Sequence, residues 1–205
     1  MNKKELTIER RFIDPEVINF RAAESEEMIV EGRPILYGVR TILFPGFAEI
    51  IEKGAATEAL ELNEAYLLWQ HDMKQPMASY RNKTLTHTED DNGVNIVADC
   101  SKTVWGRDGF EAVKNGTITK MSFAFRVLKQ EWEEVKNPDG SILDVRHILK
   151  FEHIYDFSPV TFPAYNDTEI AKRNLDEYRQ TLAPTWNPYA ADARNRRLRL
   201  TGYNF

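Results

Sequence analysis

The sequence predicts a single mainly β domain with a few helices, an α+β protein built as a small, mostly antiparallel β-barrel with helices packed outside it. Three observations point there. Roughly eight or more short apolar or alternating runs, each bounded by turn residues, read as strands. The two or three helical runs do not alternate with those strands, which argues against a doubly wound parallel sheet. Asn92-Gly93, between two such runs, is a strong hairpin signal. The length of 205 residues, with 42% hydrophobic and 29% charged residues, fits one domain with extensions and a buried core.

Taken in order, residues 1–24 are charged and weakly patterned, an edge strand or a loose arm. Residues 28–39 read as an apolar strand interrupted at Gly32 and Pro34, as at a bulge or edge. Residues 47–53 form a second short strand, and 54–62 a brief helix rich in good helix formers. Residues 65–72 read as a strongly apolar strand ending on His71 and Asp72, and 76–81 as another. Residues 84–88 and 94–99 are the arms of the hairpin. Residues 108–115 form a short helix with Phe110, Ala112 and Val113 on one side, stopped by Asn115-Gly116. A strand runs from Thr119 to about Val135, and Asn137-Pro-Asp-Gly turns the chain. Residues 142–157 are a long strand or a pair of strands. Residues 166–182 are amphipathic, with Asn166 or Asp167 placed to cap them. From Ala183 onward, two prolines and four arginines mark a basic tail. The expected organisation is therefore an arm (1–24), a folded domain (25–182) and a tail (183–205).

Bulk properties narrow the function. The net charge of −5 argues against nucleic acid as the main partner. One cysteine, Cys100, forms no internal disulfide and supports no cysteine-based metal cluster. No apolar run reaches the roughly 18 residues of a membrane helix. The basic N-terminal residues are not followed by an apolar run, so no secretory signal is expected.

The stretch Thr119-Lys-Met-Ser-Phe-Ala-Phe-Arg carries the chemistry. Met121, Phe123 and Phe125 fall on one face of an extended strand, and Ser122, Ala124 and Arg126 on the other. The large side chains anchor the strand, and the small face would let a substrate backbone approach Ser122. Two readings compete: a solvent-facing serine on a half-buried strand, or a nucleophile carried on that strand.

A nucleophilic serine needs a base within hydrogen-bond reach and an orienting partner for that base. Among His71, His87, His147 and His153, His71 stands at a strand end, where a histidine is both held and exposed; it is the candidate base, or else a simple rim residue. If 151–158 is a regular strand, Phe151, His153, Tyr155 and Phe157 share one face, and Glu152, Ile154, Asp156 and Ser158 the other. Asp156 then lies on the less aromatic face and would orient an imidazole better than the neutral His153. The competing reading of Asp156 is a surface or salt-bridged acid. A metal site has no support from ligand spacing: no His-Glu-x-x-His pattern occurs, and His71 and Asp72, as strand neighbours, would point apart.

In this order and spacing, four blocks resemble the prohead (head-maturation) protease family of tailed bacteriophages. Ile51-Glu-Lys-Gly-Ala-Ala is similar to its Gly-Ala-Phe block, with Ala56 for the aromatic. Leu68-Trp-Gln-His-Asp is similar to its Leu-x-Asn-His-Asp block, with Gln70 for Asn. Ile118-Thr-Lys-Met-Ser-Phe-Ala-Phe is similar to its Met-Ser-Phe-Gly-Phe block, with Ala124 for Gly. Asp156-Phe-Ser-Pro-Val-Thr-Phe-Pro-Ala is similar to its Glu-Val-Ser-x-Val-Thr-x-Pro-Ala block. The resemblance covers about residues 28–170.

The resemblance implies an assemblin-like fold and a serine endopeptidase with Ser122 as nucleophile and His71 as general base. It maps the acid onto Asp156, with His153 and His147 as open alternatives for the third position. Arg126, on the Ser122 face, is a candidate helper for the oxyanion. No cofactor and no metal are implied. The implied substrates are scaffold protein or a capsid-protein extension, and the protease itself, inside a procapsid assembled in the host cytoplasm. Relatives in the herpesvirus group act as dimers, and residues 166–182 would serve as such an interface or cover one end of the barrel. Three rivals stand beside this reading. They are a catalytically inactive β-barrel capsid scaffolding module, a metal-dependent hydrolase using the histidines with Asp72 or Asp156, and a nucleic-acid-binding role for the tail.

Overall fold

The computed structural model describes residues 7–13, 21–23, 27–162 and 166–182. Its elements are β1 (Glu9–Ile13), β2 (Arg21–Ala22), β3 (Ile29–Leu36), β4 (Thr41–Phe44), β5 (Phe47–Ile51), α1 (Thr57–Leu62), β6 (Tyr66–Leu68), β7 (Pro76–Ser79), β8 (Leu85–Asp90), β9 (Gly93–Asp99), α2 (Val104–Lys114), β10 (Lys120–Lys136), β11 (Ile142–Val160) and α3 (Asn166–Leu182). The basic-tail expectation for 183–205 and the capping expectation for Asn166 or Asp167 fall on residues or side chains outside that description.

The protein is mainly β with helices, as the sequence predicts, but the strands form two sheets. A seven-stranded sheet has the order β1-β10-β11-β5-β4, with β6 joining β11 to β7; a four-stranded sheet has the order β2-β3-β9-β8. Among the described residues the pairing does not run round into a closed ring, so the barrel expectation gives way to two open sheets. The second sheet is antiparallel throughout, but the first is mixed. There β11 pairs in parallel with β5 through Asp144–Ile148 and with β6 through Asp156–Phe157. A 19-residue strand is long enough to take two partners in succession along one edge.

The β10–β11 hairpin is the spine of the molecule. Met121, Phe123 and Phe125 are fully buried, as the alternation predicts. The expectation of regular alternation in β11 fails. Tyr155, Glu152 and Leu149 each lack a partner on β10, because the register shifts past them. Extra residues of this kind are β-bulges; they bend the strand and re-aim side chains. The core positions of β11 become Ile148, Phe151, Ile154 and Phe157, three apart rather than two, and all are buried. Phe123, Phe125 and Phe151 pack ring to ring, with Phe125 and Phe151 edge-on at 4.9 Å between centroids. His153 and Tyr155 are released from the aromatic face and stack on each other at 4.1 Å.

The N-terminal segment supplies an edge strand rather than only a loose arm. β1 pairs antiparallel with β10 from Glu9↔Phe125 to Ile13↔Met121. It is tied in by a buried charge network. Arg11 binds both carboxylate oxygens of Glu49 at 2.7 and 2.8 Å and Glu9 at 2.7 Å. Arg146 binds both oxygens of Glu9 at 2.7 and 2.9 Å and Glu49 at 3.1 Å. Its Nε donates to Gln130 at 2.7 Å, and Arg11 Nη1 donates to the Arg10 carbonyl at 2.8 Å. Two arginines and two glutamates cancel in charge, and every guanidinium nitrogen has a partner, which is the condition under which buried ions are tolerated.

Candidate active site

His71 does not stand on a strand. β6 ends at Leu68, and Trp69–His71 make a single 3-10 turn in which Gln70 (φ 56°) and His71 (φ 60°) are both left-handed. Non-glycine residues there are strained and persist only where their surroundings hold them. The holding contacts are explicit. The Gln70 amide donates to Thr161 Oγ1 at 2.7 Å, and its oxygen accepts from the Thr161 backbone N–H at 3.1 Å. Trp69 N–H donates to the Gln75 carbonyl at 3.1 Å, and the Asp72 carboxylate accepts from Lys74 N–H at 2.9 Å. Asp72 therefore closes the turn. From below, α2 comes close because residue 109 is glycine: a Cβ there would overlap the Met77 side chain and lie 3.2 Å from the Trp69 ring.

The turn aims His71 at β11. His71 Nδ1 lies 2.6 Å from Asp156 Oδ1, the Asp156 side chain buried and the His71 side chain largely enclosed, 85 residues apart in the chain. A carboxylate accepting from Nδ1 sets the tautomer that leaves Nε2 bare, ready to accept a proton. Nε2 is buried and has no hydrogen-bond partner among the described residues. Leaving a buried polar atom unsatisfied costs about 1–3 kcal/mol, so such an atom calls for a functional explanation. The Ser158 hydroxyl donates to Asp156 Oδ1 at 2.6 Å and accepts from the His71 backbone N–H at 3.3 Å.

Ser122 belongs to the same face. It is the direct cross-strand partner of Ser158, and Ala124 is that of Asp156. Opposed residues of an antiparallel pair point the same way, with Cβ atoms about 4.5–5.5 Å apart. None of the hydrogen bonds among the described residues involves the Ser122 hydroxyl. The small face is less open than the sequence predicts, since Ser122 is only 3% exposed and Ala124 1%. On its other edge Ser122 faces Phe12 of β1, so both edges of β10 are occupied there.

The other candidates lie elsewhere. The bulge at Tyr155 puts His153 on the Asp156 face, contrary to the expectation from alternation, but it sits opposite Arg126 and stacks on Tyr155. Burial, then the Arg126 charge, lowers its pKa. His147 lies 2.7 Å from Glu52 and 3.2 Å from Glu133. Burial opposes its charged form, but the two carboxylates outweigh burial and raise its pKa. His87 packs against the Tyr80 ring. Arg126 pairs with Glu152 at 3.1 Å and lies over the Tyr155 ring. Four residues from Ser122 along a strand is about 13 Å, a separation that an oxyanion role for Arg126, direct or through water, would have to span. Burial pushes the Cys100 thiol up to about 12, so it is no competing nucleophile. Among the described residues no three His, Cys, Asp or Glu side chains gather as metal ligands. No helix there is long and apolar enough to cross a membrane.

Sequence reasoning overlooked Ser158 and the role of Gln70. Ser158 stands two residues from Asp156 on a face already singled out. Gln70 occupies a left-handed position where the family blocks carry Asn, a residue enriched in that region.

An imidazole oriented by a carboxylate, with a serine opposite Ser158 on the same sheet face, fits the class of hydrolases that act through a covalent acyl-enzyme. Within that class the chain belongs to the caudovirus prohead serine protease family, whose family model matches residues 16–181. It is thus a serine-type endopeptidase of phage head maturation, from a family that acts on capsid or scaffold proteins in the procapsid. No curated protein and no solved structure matches the chain.

Proposed function

We propose that Ser122 is the nucleophile, His71 the general base and Asp156 the carboxylate that orients it. The observation that carries the assignment is the buried, unpartnered Nε2 of a histidine whose Nδ1 is held by Asp156. Ser122 Oγ attacks the peptide carbonyl carbon and its proton passes to Nε2. Backbone N–H groups hold the tetrahedral oxyanion. The imidazolium, stabilised by Asp156, then protonates the leaving amine as the C–N bond breaks. Water, deprotonated by the same Nε2, cleaves the acyl ester and frees Ser122.

The substrate is a scaffold protein or a capsid-protein extension, and also this chain itself, within a procapsid assembled in the host cytoplasm. Since β1 and β11 flank β10 at Ser122, an extended substrate cannot add to β10 itself. Among the described strands of the sheet that contains β10, β1, β4 and β7 offer free edges for main-chain pairing. Self-association as a homodimer completes the reading, and sedimentation of the purified chain measures it.

The test is Ser122→Ala. Removal of the hydroxyl should lower cleavage of co-expressed capsid or scaffold protein by about 10³-fold or more and abolish labelling by a fluorophosphonate. Cleavage that survives in the variant overturns the assignment.

A further inference from the structure

We propose that Ser158 is a positioning residue that locks the His71 backbone and the Asp156 carboxylate into one unit; this rests on the assignment of His71 and Asp156 above. A hydroxyl has one proton to give and lone pairs to receive. An ionised carboxylate can only accept, so the Ser158 proton goes to Asp156 Oδ1 at 2.6 Å. The lone pairs of Oγ are left for the His71 N–H at 3.3 Å. One atom therefore spans from the backbone of the base to the oxygen that orients the ring of that base.

Three further facts give the bridge a purpose. The turn that carries His71 is left-handed at two successive residues, so its backbone needs a tether. Gln70 supplies one tether, to Thr161 just past the end of β11, and Ser158 supplies the other, three residues earlier and within the strand. Ser158 is fully buried and directly opposes Ser122, so any shift of its hydroxyl moves the base relative to the nucleophile. The hydroxyl also shares the charge on Oδ1 with the imidazole. Without it, the full charge of that oxygen falls on His71, and the imidazolium is favoured.

The experiment measures the rate of inactivation by a fluorophosphonate against pH and probe concentration in the full chain. In that reaction Oγ of Ser122 displaces fluoride from phosphorus and its proton passes to His71. Ser158→Ala should lower the maximal rate about tenfold and leave the half-saturating probe concentration unchanged. It should also move the acid limb of the profile to higher pH, and Ser158→Thr should restore both. If the alanine variant does not fold, Ser158→Cys, close in volume and a weak donor, is measured in the same way. An acid limb that stays in place overturns the proposal, even if the rate or the melting temperature falls, because a purely structural role predicts that pattern. Ser122→Ala and His71→Ala separate the two levels. If either still reacts with the probe, the catalytic assignment itself fails; if both are silent and Ser158→Ala matches the parent, only the positioning role fails.

Discussion

Two buried polar clusters share the long strand β11, and they differ in how fully they are paired. At one end, Glu9, Arg11, Glu49 and Arg146 form a neutral network in which every guanidinium nitrogen is paired. At the other, His71, Asp156 and Ser158 share three hydrogen bonds and leave the His71 Nε2 with none. The backbone follows the same division. The network is held by strand residues, and the histidine by two left-handed residues. A saturated cluster has nothing left to offer a ligand and serves architecture. A cluster with one unsatisfied atom, held in a strained turn, stores the capacity to take up a proton.

Crossed substitutions can break this comparison. Asp156→Asn should reduce cleavage by about 10²–10⁴-fold, because an amide can present its N–H to Nδ1 and trap the wrong tautomer. Its melting temperature should stay near that of the parent. Large unfolding in this variant would mean that the pair is architectural after all. Arg146→Met should do the reverse. It strands Glu9 without half of its partners and should cost about 3–5 kcal/mol in a denaturant titration, while the protein that remains folded keeps its activity. Loss of activity without loss of stability would refute the division of labour.

Acid titration sharpens the same point. Burial alone would raise the Glu9 carboxyl, but the Arg11 and Arg146 guanidiniums outweigh burial and hold it at about 2, below its model-compound value of 4.5. A carboxyl lowered on folding stabilises the native state above its unfolded pKa. That contribution should be complete above pH 4.5 and lost as the pH falls towards 2. Glu9→Gln should be less stable than the parent at neutral pH, and the gap should close through that window.

The smallest effect concerns His147, raised by Glu52 and Glu133. A histidine raised on folding stabilises below its unfolded pKa, and the contribution is lost as pH rises through the folded value. His147→Gln should therefore cost stability at about pH 6 and little at about pH 9. The loss should be under about 1 kcal/mol, since the carboxylate partners are solvent-screened. A gap that widens with pH would contradict the pairing.

Much of this was legible in the residues. The alternation of Met121, Phe123 and Phe125 against Ser122 and Ala124 predicts which face of β10 enters the core. The hairpin closes at Asp91-Asn92 with Gly93 opening β9, the helix expected near 108–115 begins four residues earlier at Val104, and the helix over 166–182 is where the sequence predicts it. Local patterns did not predict the bulges at Tyr155 and Glu152, since a register shift depends on the partner strand and not on the strand that bulges. The same ignorance misplaced His153 and made His71 a strand residue.

By itself, the sequence determined the side chains available for chemistry, the mainly β character and the small-sided strand bearing Ser122, because these follow from residue type and two-residue periodicity. Tertiary structure alone decided that His71 would meet Asp156 across 85 residues, that Ser158 would bridge them, and that four charges would be buried together. Those outcomes depend on strand pairing over long separations and on where the ladder slips, and neither is written in any local stretch of chain.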